Sequence, residues 1–146
     1  MKTPRSAPAL KVALPYTAAN ANRALPLVRR IVTDLVNQVR HWEEAVRHVE
    51  LTSHDNVLDN AESERWQRET QRLAAEIEGC VRELGELGIA VKALDVGLVD
   101  FPGTLDGREV YFCWMLGERA VTHWHERDAG FSSRQPIPLD AIATLG

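Results

Sequence analysis

Residues 25–49 read LPLVRRIVTDLVNQVRHWEEAVRHV, with apolar side chains at Leu25, Val28, Val32, Leu35, Val39, Trp42, Val46 and Val49. The steps between them alternate between 3 and 4 residues. That period lays one continuous stripe along a helix and is the seam pattern of a coiled coil. Ile31 and Val36 widen the stripe in the middle. Thr17 is placed to cap a helix spanning 17–50, its hydroxyl accepting a bond from an orphan N–H of the first turn. Pro26 removes one backbone donor near the start, so a kink or a fresh helix start is expected near Leu25.

A second seam follows a turn over 51–59. It runs through Trp66, Thr70, Leu73, Ile77, Cys80, Leu84 and Leu87, and Gly88 is a natural stop just past the helix end. Pairs such as Glu43–Arg47, Arg72–Glu76 and Glu78–Arg82 sit at i,i+4 on the outer faces. Two matched helices of about 40–45 Å joined by a short turn form an antiparallel hairpin. A hairpin alone has little core, so it must pack on the rest of the chain, on a second copy, or on both.

Beyond Gly88 the period changes. Ile89–Val99 alternates, Glu109–Leu116 (EVYFCWML) is rich in β-branched and aromatic types, and Ala120–Glu126 (AVTHWHE) resembles a third strand. Turn signals lie at Pro102-Gly103, at Asp106-Gly107 and at Gly117-Glu118-Arg119. The expected fold is α+β: a long antiparallel helical hairpin, coiled-coil-like, followed by a three-stranded antiparallel β-meander. The expected organisation is a flexible N-terminal tail over 1–15 and one domain over 16–146. That domain divides into the hairpin (17–88), the sheet (89–127) and an extended C-terminal segment (128–146) ending in a short helix over Leu139–Leu145.

The remaining arithmetic excludes more than it assigns. Seventeen Lys and Arg against 21 Asp and Glu leave a net charge of −4 over 146 residues, which does not suit a nucleic-acid binder built on clustered positive charge. No apolar run approaches the length of a membrane span. The N-terminal stretch has basic residues and three prolines but no apolar core, so no signal peptide is expected. Two distant cysteines, Cys80 and Cys113, form no disulfide framework or zinc ribbon. A cytoplasmic location, no nucleic acid and no membrane are the expectations.

The second half carries a continuous signature: Gly97-Leu98-Val99-Asp100-Phe101-Pro102, Asp106-Gly107-Arg108-Glu109-Val110, Cys113-Trp114-Met115-Leu116-Gly117-Glu118, Trp124-His125-Glu126, Gly130-Phe131 and Arg134-Gln135-Pro136. With Tyr16-Thr17, Ala21-Asn22 and Leu25-Pro26-Leu27-Val28 before the helical run, it resembles the bacterial domain-of-unknown-function family 2203 over about residues 16–138. The resemblance implies one domain and directs attention to the second half. It implies no particular activity.

His123 and His125 are the sharpest chemical pair. At i,i+2 on a strand both rings face one side, a spacing that can present two imidazoles to a divalent transition metal such as zinc. Asp100, Glu118, Glu126 and Cys113 are candidate third ligands, with Glu126 on the opposite face of a regular strand. Register decides Cys113. A two-residue turn at Glu118-Arg119 sets His123 opposite Trp114 and turns Cys113 away. A bulge at Gly117 shifts the pairing by one and brings Cys113 to the histidines. The plain alternative is an aromatic sheet with two hydrogen-bonded histidines. Trp114 and Trp124 either pack the sheet on the hairpin or line a pocket for a flat ligand. Arg134 either clamps the C-terminal segment to the sheet through a carboxylate or holds an anionic group in an acidic pocket. The candidate ligand-binding set is therefore Asp100, Trp114, Glu118, Trp124, His125, Glu126 and Arg134, with His123 and His125 as metal ligands.

No complete catalytic constellation is present, and no catalytic residue is assigned. Two uninterrupted seams favour a non-catalytic interaction or oligomerisation module, a homodimer through the hairpin or a binder of a protein partner. The alternative is a small metal- or ligand-binding enzyme with its site around His125.

Overall fold

The structure, a computed structural model, describes residues 14–55 and 60–143. Helix α1 spans Ala18–Asp55 and α2 spans Asn60–Glu86. Strands β1 (Ala90–Ala93), β2 (Leu98–Leu105), β3 (Arg108–Met115) and β4 (His123–Glu126) follow, then a 3₁₀ turn at Phe131–Ser133, β5 (Gln135–Pro136) and α3 (Leu139–Ala143). The five strands form one antiparallel sheet in the order β1-β2-β3-β4-β5. The α+β reading holds, with five strands instead of three. The expected tail over 1–15 falls outside the described residues except for Leu14 and Pro15, and the expected turn over 51–59 is helix as far as Asp55 and outside the described residues beyond it.

The helix ends obey the local chemistry. The Asn20 N–H donates to the Thr17 hydroxyl at 3.0 Å, satisfying one orphan donor of the first turn. At the end of α2, Gly88 takes φ +81°. The Gly88 N–H donates to the Gly85 carbonyl at 2.9 Å and the Ile89 N–H to Leu84 at 2.9 Å, which together make a Schellman cap. Helix α1 continues unbroken through Pro26, so no fresh helix starts near Leu25. Near that proline, the Asn22 side chain ties α1 to the chain entering β4. Its Nδ2 donates to the Ala18 and Val121 carbonyls at 3.0 Å each, and its Oδ1 accepts from the Val121 N–H at 2.8 Å.

The stripe on α1 is buried within the chain as far as Val39, and Trp42 beyond it is exposed. Leu25, Val28, Val32, Leu35 and Val39 are buried against Leu84, Ile89 and the inner face of the sheet, where Val99, Phe101, Val110, Phe112, Trp114 and Trp124 point. Trp114 sits at the centre, its Nε1 donating to the Glu118 carbonyl at 3.0 Å, so the largest core side chain leaves no polar atom unpaired.

Pro102-Gly103, read as a turn, lies inside β2. The Tyr16 N–H donates to the Pro102 carbonyl at 2.8 Å, and the Thr104 N–H donates to the Tyr16 carbonyl at 2.9 Å. The N and O of one strand residue point the same way, so the missing N–H of Pro102 faces this edge and costs no sheet bond. Gly103 makes the approach of Tyr16 feasible. A Cβ there would lie 2.3 Å from Phe112 Cε2 and 2.7 Å from the Tyr16 carbonyl oxygen.

Candidate functional site

Strand alternation gives the sheet a second face. Asp100 pairs with Cys113, Cys113 with His123, and Tyr111 with His125. Side chains two residues apart share a face, so Asp100 (β2), Cys113 (β3) and His125 (β4) all project away from the hairpin. All three are buried, at 3%, 0% and 2% exposure. Their ligand atoms lie within 4.8 Å of one another. Three strands thus each deliver one polar group of different chemistry to one point, in a position that burial makes costly unless the groups satisfy each other.

The register is the shifted one. The β3–β4 connection spans residues 116–122 instead of two, with Gly117 at φ +106°. Glu118 holds it: its N–H donates to the Met115 carbonyl at 3.0 Å, and its Oε1 accepts from the Met115 N–H at 2.9 Å. That puts Cys113, not Trp114, opposite His123.

His125 is oriented by its backbone. Its Nδ1 lies 2.8 Å from the Glu126 carbonyl. A carbonyl only accepts, so Nδ1 carries the proton. Its Nε2 lies 3.1 Å from both Asp100 oxygens. A neutral Nε2 presents a lone pair to a carboxylate, two acceptors face to face. A shared proton or a bound metal ion would resolve that opposition. Both ring nitrogens of His125 thus have partners other than Cys113, the Glu126 carbonyl at Nδ1 and Asp100 at Nε2. Burial pushes the Cys113 thiol up to about 11, with the Asp100 and Glu118 carboxylates adding to the shift and Arg134 opposing it. This is the opposite of an activated nucleophile.

A second polar unit flanks the first. The Arg134 guanidinium grips Glu118 with Nη1 to Oε2 at 2.6 Å and Nη2 to Oε1 at 3.0 Å, and Nη2 also donates to the Cys113 carbonyl at 3.0 Å. Its charge lies 4.4 Å from the Phe131 ring centre. Burial opposes charge on Glu118, but Arg134 and the Met115 N–H outweigh it and hold the carboxyl below its usual range. Arg134 therefore ties the segment after β4 back to β3, beside the buried cluster.

The sequence candidates divide accordingly. Asp100 and His125 come together. Glu118 and Arg134 pair beside them. His123 is not in the converging group; its Nδ1 lies 2.9 Å from the Thr122 hydroxyl. Trp114 and Trp124 lie on the opposite face, in the core. Glu126 pairs with Arg108 at the exposed rim. Cys113, which sequence reasoning placed only conditionally on the register, takes the position first given to His123.

Fold and site together define an α+β protein in which a helical hairpin backs a five-stranded sheet carrying a buried Asp–Cys–His cluster on its far face. Residues 15–137 match the family described as Uncharacterized conserved protein (DUF2203), and the chain belongs to that family. No curated protein and no solved structure matches the chain. Among the described residues no helix is long and apolar enough to cross a membrane.

Proposed function

We propose that the chain binds one divalent transition-metal ion of the zinc class through Asp100, Cys113 and His125. The observation that carries this reading is the convergence of three buried donors within 4.8 Å, with the Nε2 of His125 turned onto a carboxylate by its Nδ1 bond to the Glu126 carbonyl. That backbone bond is the usual outer support of a metal-ligating histidine.

The donor set selects the ion. Thiolate with imidazole suits zinc-like ions and not magnesium or calcium, which take oxygen cages. Around a tetrahedral ion with bonds of roughly 2.0–2.3 Å, ligand atoms stand roughly 3.3–3.6 Å apart. The 3.1 Å from Nε2 to the Asp100 oxygens needs only a small opening. One thiolate, one carboxylate and a neutral imidazole cancel the charge of a divalent ion, and neutrality is what a buried site demands. Three protein donors leave one coordination position, which in such sites takes water or a bound molecule.

Cobalt titration of the metal-free protein tests the reading. A thiolate-to-cobalt absorption band that saturates at one equivalent, and is lost in Cys113→Ser and in His125→Gln, is the expected result. An unchanged spectrum at excess cobalt, with the protein folded by circular dichroism, sinks it.

A further inference from the structure

The hairpin carries a separate feature that the buried cluster does not use. Where α1, α2 and the β1–β2 turn meet, Trp42, Ile77 and Leu94 floor a groove of about 430 Å³, and Glu43, Glu78 and Asp95 stand on its rim. No Lys or Arg lines it. Two of the large hydrophobic residues exposed among those described, Trp42 and Leu94, line it. Exposed apolar surface gathered in one place, with charge of one sign around it, marks an interaction surface.

We propose that this groove docks an amphipathic helix of a protein partner, with apolar anchors at helical spacing flanked by Lys and Arg. Two antiparallel helices present the trough that a third helix fills. The three rim carboxylates select the charge of the occupant. A second copy is the poorer fit. A two-fold contact through the groove would set Glu43, Glu78 and Asp95 against their own like charges, and the α1 stripe expected to drive dimerisation is buried within the chain from Leu25 to Val39. The inference is independent of the metal site.

The test uses the full chain and two dye-labelled peptides of 18 residues, read by fluorescence anisotropy at about 0.15 M salt. Both carry Leu at i, i+3, i+4 and i+7 positions; one is flanked by Lys and the other by Glu. The Lys peptide is expected to bind saturably. Its affinity is expected to fall at least about tenfold in Glu43→Lys/Glu78→Lys and to stay within about twofold in Glu44→Lys/Glu50→Lys, a reversal of equal charge elsewhere on α1. Leu94→Ser is expected to weaken it as well. Absence of saturable binding, equal binding of the two peptides, or equal losses in the two reversals overturns the proposal. So does a concentration-dependent dimer that Glu43→Lys/Glu78→Lys dissociates, since the occupant is then a second copy. A tenfold gain in peptide affinity on deleting residues 1–13 also overturns it, since the chain then fills its own groove.

Discussion

Gly103→Ala adds one methyl group at a place with no room for it. The new Cβ would lie 2.3 Å and 2.6 Å from Phe112 Cε2 and Cδ2 and 2.7 Å from the Tyr16 carbonyl oxygen. Phe112 is fully buried and Tyr16 nearly so, so neither neighbour can swing into solvent. If both hold, the overpacking costs about 1–3 kcal/mol. If Tyr16 yields, its two backbone bonds to Pro102 and Thr104 are strained or lost, at about 1 kcal/mol each. Either route costs about 1–3 kcal/mol. With a slope of about 2 kcal/mol per M, the urea midpoint drops by about 0.5–1.5 M at unchanged slope. Urea unfolding followed by tryptophan fluorescence reads this directly. A midpoint within about 0.3 M of the parent would refute the reasoning, because it would mean that Tyr16 does not lie against β2 as described.

Three further outcomes follow from other contacts. Asn22→Ala leaves the buried Val121 N–H and carbonyl without their side-chain partners, and is expected to cost about 2–3 kcal/mol in the same urea assay. Glu118 has its folded pKa lowered chiefly by Arg134, against the penalty of burial. Its contribution is therefore fully present above the unfolded value near 4.5 and is lost as pH falls through the folded one. Glu118→Gln is expected to be less stable than the parent at pH 7 and to converge with it in acid, as followed by thermal melts across pH 3–7, with Arg134 the cation that holds it; a pH-independent difference would contradict this. Cys113 is fully buried with its thiol pushed up to about 11, whereas Cys80 is half-buried. In metal-free native protein a thiol reagent is expected to label Cys80 first and Cys113 only on unfolding, by mass spectrometry of the labelled peptides.

The helices were legible because their signal is periodic and long. Thr17 and Gly88 act at the ends as their types require, and the stripe from Leu25 to Val39 is the buried one. The strands were legible as β but not in their bounds. Pro102-Gly103 looks like a turn in sequence, and only the arrival of Tyr16 on that edge shows why a strand tolerates both residues there. The site depended on one unit of register. A two-residue turn and the observed seven-residue connection place opposite faces of β3 against His123 and His125, and the choice is made by Glu118 folding back onto the Met115 N–H, a side-chain bond that no pattern announces. That single step moves Cys113 into the cluster and Trp114 into the core. His123 drops out for a different reason: sharing a face with His125 does not bring its ring to the point where Asp100 and Cys113 converge.

The proposed site holds its metal ion by one thiolate, one imidazole and one carboxylate. Zinc K-edge X-ray absorption on the zinc-loaded full chain examines that ligand set itself. One sulfur scatterer at about 2.3 Å with nitrogen and oxygen at about 2.0–2.2 Å is expected, the sulfur shell disappearing in Cys113→Ser. A first shell of nitrogen and oxygen alone in the parent chain would contradict it, and would leave Asp100 and His125 as a buried ion pair with Cys113 a bystander.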